Sequence, residues 1–120
     1  MKTIFVVDDN GINLMKADEA LMDHYNVITI SSAFTMFELF EDIIPDLILL
    51  DIMMPDFNGF DALKQLKADE RYKEIPVVFL TGVNDDAEEV RGYEMGVVDY
   101  IKKPFSNPVL LDRVKTVLES

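Results

Sequence analysis

Short apolar runs alternate with longer segments that carry one apolar face along the 120 residues of this chain. Ile4-Phe5-Val6-Val7, Leu47-Ile48-Leu49-Leu50 and Val77-Val78-Phe79-Leu80 contain no polar alternation. That is the pattern of strands buried on both faces. Val27-Ile28-Thr29-Ile30 alternates and suits a sheet edge. Val97-Val98-Asp99-Tyr100-Ile101 supplies a fifth run. The predicted strands are residues 3–8, 27–30, 46–50, 77–80 and 98–101.

Helical segments fall between and after them. Asn10 can cap a first helix with Leu14, Ala17 and Leu21 on one face. Ser32 starts a second, carrying Phe34, Phe37, Leu39 and Phe40. Ile44-Pro45 ends it, because proline disfavours helix in the residue before it. Gly59 opens a third with Leu63 and Leu66, which closes in the charged run before Ile75-Pro76. Asp85-Asp86 begins a fourth, where acids favour the helix dipole, and Gly96 ends it. Asn107-Pro108 begins a fifth, with Pro108 at the tolerated first position and Leu111, Val114 and Leu118 facing inward. Five βα units in succession predict one domain over residues 1–120: a five-stranded parallel sheet with five helices on its two faces. Central third and fourth strands with an edge second strand favour the order 2-1-3-4-5, a flavodoxin-like doubly wound fold whose switch point lies between the first and third strands.

Ligands of such sheets collect outside the carboxyl ends of the strands. There the chain places Asp8 and Asp9 after the first strand, Asp51 after the third, Thr81 after the fourth and Lys103 after the fifth. Each has an ordinary reading when taken singly: helix N-terminal acids, a turn acid before Met54-Pro55, a local turn hydroxyl, a solvated lysine. Together they compose a phosphoryl site. Clustered carboxylates gain affinity for a proton or a divalent cation, and oxygen-only ligands suit Mg2+. Zinc would want ligands the chain does not offer, since His24 is the single histidine and cysteine is absent. A carboxylate such as Asp51 can attack a phosphoryl group and hold it as an acyl phosphate. A hydroxyl and an ammonium can bind the phosphoryl oxygens, and Gly82 leaves room for one beside Thr81. Lys103 is aimed by the turn at Pro104, for which a cis Lys103-Pro104 bond is an expected geometry.

Composition narrows the function classes. The net charge of −12 argues against a nucleic-acid-binding face, which needs lysine and arginine. No apolar stretch approaches membrane-spanning length, and the start at Met1-Lys2-Thr3 resembles neither a signal peptide nor a tag. The lack of cysteine excludes thiol chemistry and fits a reducing cytoplasm.

Four pieces of the chain carry a family resemblance: Val7-Asp8-Asp9-Asn10; Leu50-Asp51-Ile52-Met53-Met54-Pro55 with Asn58-Gly59; Leu80-Thr81-Gly82; and Asp99-Tyr100-Ile101-Lys102-Lys103-Pro104-Phe105. In these, and over nearly its whole length, the sequence resembles the receiver domain of two-component response regulators. The resemblance implies that Asp51 is the phosphoacceptor, served by a histidine kinase or a phosphotransfer histidine domain. It implies Mg2+ held directly by Asp9, Asp51 and the backbone carbonyl of Met53, with Asp8 acting through a metal-bound water. Thr81 and Tyr100 would form the switch pair, Thr81 moving toward the phosphoryl oxygen and Tyr100 swinging inward behind it, while Lys103 bonds the phosphoryl group. The implied protein is a signalling switch that catalyses only its own phosphorylation and dephosphorylation, not a turnover enzyme. One departure concerns Val98, where many transcription-factor receivers carry an acid of a charged dimer face. Glu89, Arg91, Asp99, Lys102 and Arg113 remain to form such a face in a phosphorylation-dependent homodimer, which the departure puts in doubt.

The competing reading is an aspartate-nucleophile phosphohydrolase on a related sheet. Such enzymes place a second acid two residues beyond the nucleophile, where this chain has Met53, and 120 residues leave no room for a cap domain. Met53 and Val83 would flank the phosphoryl group without holding an attacking water, which predicts slow self-dephosphorylation. A chain that ends with its fifth helix suits either a stand-alone receiver or the first domain of a longer regulator with its own output domain, as opposed to a separate protein target.

Overall fold

The structure, a computed structural model, describes residues 1–82 and 85–119. Its strands are β1 (Thr3–Val7), β2 (Asn26–Ile30), β3 (Leu47–Asp51), β4 (Val77–Thr81) and β5 (Asp99–Lys102). All neighbours pair in parallel, in the order β2-β1-β3-β4-β5. The helices are α1 (Gly11–Leu21), α2 (Ala33–Leu39), α3 (Gly59–Ala68), α4 (Asp86–Glu94) and α5 (Asn107–Leu118).

Alternate residues of each central strand enter two separate cores, which is why those strands show no polar alternation. Phe5, Val7, Ile48, Leu50, Val77 and Phe79 point to one side, where Met36, Leu63 and Leu66 meet them from α2 and α3. Ile4, Val6, Leu47, Leu49, Val78 and Leu80 point to the other, against Ala17 and Leu21 of α1 and Leu110 and Val114 of α5. β2 is the half-exposed edge that its alternation predicts.

Every helix begins at a side-chain cap that satisfies otherwise unpaired N–H groups. Asn10 Oδ1 accepts from Ile12 N at 2.9 Å, Ser32 Oγ from Thr35 N at 3.2 Å, and Asn58 Oδ1 from Phe60 N at 2.7 Å. Asp85 Oδ1 accepts from Ala87 N at 2.9 Å and Ser106 Oγ from Val109 N at 3.3 Å. Gly96 follows α4 with φ of +107°, the left-handed position where glycine ends a helix without strain.

Three details differ from the sequence reading. α5 is capped by Ser106, so Pro108 is its second residue and not its first, and Leu110 with Val114 forms its buried face. Leu111 and Leu118 pack only at the margin of that core. α2 stops at Leu39, well before Pro45, and the Phe40 ring that follows stacks between Phe5 and Tyr72, with ring centroids 5.9 and 4.4 Å away. Phe34 is 68% exposed.

The close packing of α3 on the end of β3 requires Gly59. A Cβ at this position would lie 2.6 Å from Ile52 Cα and 2.8 Å from the carbonyl oxygen of Asp51, both backbone atoms that cannot yield. Gly59→Ala is therefore expected to destabilise the fold by about 3 kcal/mol or more, at the upper end of overpacking costs. A urea midpoint within error of wild type would refute this.

Candidate functional site

The site is assembled at the carboxyl ends of β1, β3, β4 and β5, around the switch point between β1 and β3. Asp8 follows β1 directly and is wholly buried. Its Oδ1 accepts from Asn10 N at 2.9 Å and its Oδ2 from Asn13 Nδ2 at 3.3 Å, so the start of α1 holds the carboxylate in place. Asp9 is exposed beside it. Asp51 is the last residue of β3, paired to Leu80 across the sheet and only 2% exposed. Carboxylate oxygens of Asp8, Asp9 and Asp51 all lie within 4.8 Å of one another.

Lys103 closes the group from the opposite side. Its backbone N–H donates to the Thr81 carbonyl at 2.6 Å, and the Lys103-Pro104 bond is cis. The ammonium reaches Asp51 Oδ1 at 3.0 Å and Asp8 Oδ2 at 3.2 Å. One cation thus bridges two buried carboxylates, with a third acid at the rim. Burial pushes the Asp51 carboxyl up to about 6, and the Asp8 charge adds to this. The bond from Lys103 and the Met53 N–H, at 3.4 Å, only partly oppose it. Burial works against the Lys103 ammonium too, but its bonds and charge interactions with Asp51 and Asp8 outweigh that and raise it above the usual lysine value. Asp51 ionises reluctantly because it is buried and faces the Asp8 charge, which the Lys103 ammonium only partly offsets.

Thr81, the last residue of β4, is 1% exposed, and Tyr100 of β5 lies inward at 7%. The Tyr100 ring packs edge-on against Phe79 with centroids 5.9 Å apart. Both hydroxyls donate to one oxygen of Glu88 in the first turn of α4: Tyr100 at 2.6 Å and Thr81 at 3.2 Å. Burial and the adjacent Glu88 hold the Tyr100 hydroxyl far above the ordinary tyrosine range.

The strand ends bring together Asp8, Asp9, Asp51 and the Lys103 ammonium, and Thr81 joins them through its backbone carbonyl while its hydroxyl bonds Glu88. Met53 is 64% exposed just beyond Asp51, whereas Val83 lies outside the described residues. Sequence reasoning missed Asn13 and Glu88. An acid in a first helical turn ordinarily reads as a dipole partner, and only the packing of α4 shows Glu88 reaching two hydroxyls. In the charged face formed by α4, β5 and α5, Arg113 pairs with Asp99 at 2.8 Å. Arg91 instead lies over the Phe60 ring at 4.1 Å.

This donor set fits a hard divalent cation, since it consists of clustered carboxylate oxygens and no nitrogen or sulfur ligand. Among the described residues no helix is long and apolar enough to cross a membrane.

Comparison with known proteins agrees with this geometry. The chain is 38% identical over 118 residues to the phosphate regulon transcriptional regulatory protein PhoB of Pseudomonas aeruginosa, covering 98% of this chain and 52% of that protein. It is 37% identical over 118 residues to a probable cyclic di-GMP phosphodiesterase of Vibrio cholerae, covering 98% of this chain but 27% of that protein. The chain therefore spans about a quarter to a half of these curated relatives. Among solved structures, the BeF3-activated receiver domain of DrrB from Thermotoga maritima superposes with a TM-score of 0.89 at 33% identity, covering 100% of this chain and 99% of that one. Residues 4–115 match the sequence model of the response regulator receiver domain, and with the sheet order and the acidic site in agreement, this chain belongs to the receiver domain family of two-component response regulators.

Proposed function

We propose that Asp51 accepts a phosphoryl group from a phosphohistidine on a histidine kinase or a phosphotransfer histidine domain. One observation carries this reading: a buried carboxylate at a strand end, 3.0 Å from a lysine ammonium and clustered with two further acids. The histidine N–P bond breaks as an Asp51 O–P bond forms, which leaves an acyl phosphate. Asp8, Asp9, Asp51 and the Met53 carbonyl are the proposed holders of Mg2+. When bound, the ion supplies positive charge to phosphoryl oxygens that would otherwise face an acidic cluster. Lys103 and the Thr81 hydroxyl bind the phosphoryl oxygens, and Thr81 with Tyr100 passes the event to the surface through α4. The domain catalyses only its own phosphorylation and dephosphorylation, and residues 1–120 act as one unit.

The phosphohydrolase alternative loses ground, because exposed, apolar Met53 stands where such an enzyme needs its second acid. The reader of the switch is a further domain of the same polypeptide or a separate protein target. The proposed location is the cytoplasm, whose reducing conditions a cysteine-free chain suits.

Intact mass after incubation with acetyl phosphate tests the proposal. One added phosphoryl group with Mg2+, and none with EDTA, is expected; no gain under either condition would end it. The lifetime of the acyl phosphate is expected to be long, because the side chains of Met53 and Val83 are apolar and carry no group suited to holding an attacking water. Following the loss of label with time checks this. A half-life of seconds that polar substitutions at both positions leave unchanged would contradict it.

A further inference from the structure

We infer that Glu88 is a positioning residue of the switch: it competes with the phosphoryl group for the hydroxyl of Thr81. The inference rests on the receiver reading above and adds a residue to it. Thr81 Oγ1 donates to Glu88 Oε1 at 3.2 Å, with the Tyr100 hydroxyl as a second hydrogen-bonding neighbour, and the Tyr100 hydroxyl donates to the same Glu88 oxygen at 2.6 Å. A threonine hydroxyl has one proton and can donate it strongly to one acceptor at a time. A Thr81–phosphoryl bond therefore forms at the expense of the Thr81–Glu88 bond. The Tyr100–Glu88 bond is the shorter of the two and does not use the Thr81 proton, so it ties the first turn of α4 to β5 independently of Thr81.

The sharing gives Glu88 two opposed effects. It weakens the phosphoryl-bound arrangement by the strength of the bond Thr81 must give up, and it holds Tyr100 inward in the arrangement seen here. Hydrogen bonds to a charged acceptor are among the stronger ones, so the competition is large enough to measure. Its origin is geometric. Glu88 lies three residues beyond the Asp85 cap, where the first turn of α4 faces the ends of β4 and β5.

The test is a double-mutant cycle on beryllofluoride affinity. Wild type, Glu88→Ala, Thr81→Val and the double variant are titrated with beryllofluoride in saturating Mg2+, and tyrosine fluorescence is read. Glu88→Ala is expected to tighten binding at least threefold when Thr81 is present and to have no effect in the Thr81→Val background. Removing a negative charge near an anion would tighten binding equally in both backgrounds, and that result, or no change in either, would overturn the inference. Glu88→Gln keeps the shape and one acceptor oxygen. It should show a smaller tightening that again depends on Thr81, and it serves should the alanine variant fail to fold. Wild type that binds without coupling would remove Glu88 alone; wild type that fails to bind beryllofluoride would overturn the receiver chemistry and this inference together.

Discussion

Asp51→Asn is expected to abolish Mg2+-dependent uptake of a phosphoryl group from acetyl phosphate while leaving the fold intact. The amide matches the carboxylate in shape but lacks the anionic oxygen that forms the acyl phosphate. Of the three clustered acids, only Asp51 is both within 3.0 Å of the Lys103 ammonium and located at the end of a central strand. Asp8 is equally buried, but its two oxygens are taken by Asn10, Asn13 and Lys103, which makes it a holder and not a nucleophile. Asp9 is exposed at the rim. Intact mass of both proteins, prepared side by side, gives the answer. A variant that gains the same phosphoryl group as wild type would move the acceptor to another residue.

The same substitution is expected to stabilise the metal-free protein at neutral pH, and this is the second large effect. The folded Asp51 carboxyl titrates at about 6 against an ordinary value of 3.8, so the folded chain holds this proton more tightly than the unfolded chain does. The contribution is thus fully present below pH 3.8 and is lost as pH rises through about 6. Above that window, ionised Asp51 works against the fold by roughly 2–3 kcal/mol, since each pKa unit corresponds to about 1.4 kcal/mol. Asn carries no charge to desolvate. In EDTA at pH 7.5 the variant should melt about 5–10 °C higher than wild type, at a few degrees per kcal/mol for a domain of this size. Saturating Mg2+ should narrow the gap by stabilising wild type through binding to the folded form. The other carboxylates are common to both proteins, so the difference between the two pH profiles reports Asp51 together with its coupling to Asp8 and Lys103. Parallel profiles from pH 4 to 7.5 would show that Asp51 ionises without cost.

The two predictions are linked. A carboxylate that is costly to ionise in a site short of positive charge gains from anything that brings that charge, and a divalent cation is the natural supplier. The cost of ionising buried Asp51 and the proposed affinity of the cluster for Mg2+ would then share one origin.

Much of this was legible along the chain. The unbroken apolar runs at Ile4–Val7, Leu47–Leu50 and Val77–Leu80 require partners on both faces, and helices on both sides of a parallel sheet provide them. Once the strand order follows, Asp8, Asp51, Thr81 and Lys103 must gather, because the carboxyl ends of parallel strands lie at one edge of the sheet. Caps at Asn10, Ser32 and Asp85 depend on local backbone groups and could be read from local sequence. The start of α5 could not be read as closely, since both Ser106 and Asn107 are cap formers and the packing of Leu110 and Val114 chose between them. Nor could the end of α2, which comes at Leu39, ahead of the proline, where Phe40 packs against Phe5 and Tyr72.

By itself, then, the sequence determined the sheet, its order and the identity of the residues at its active edge, because hydrophobic period and strand termini are properties of neighbouring residues. Only the tertiary structure decided that one ammonium bridges Asp51 and Asp8, that Gly59 presses against the backbone of Asp51 and Ile52, and that Glu88 accepts from the hydroxyls of both Thr81 and Tyr100. These contacts join residues from different elements, and they depend on the position and rotation of each helix against the sheet, which no local pattern specifies.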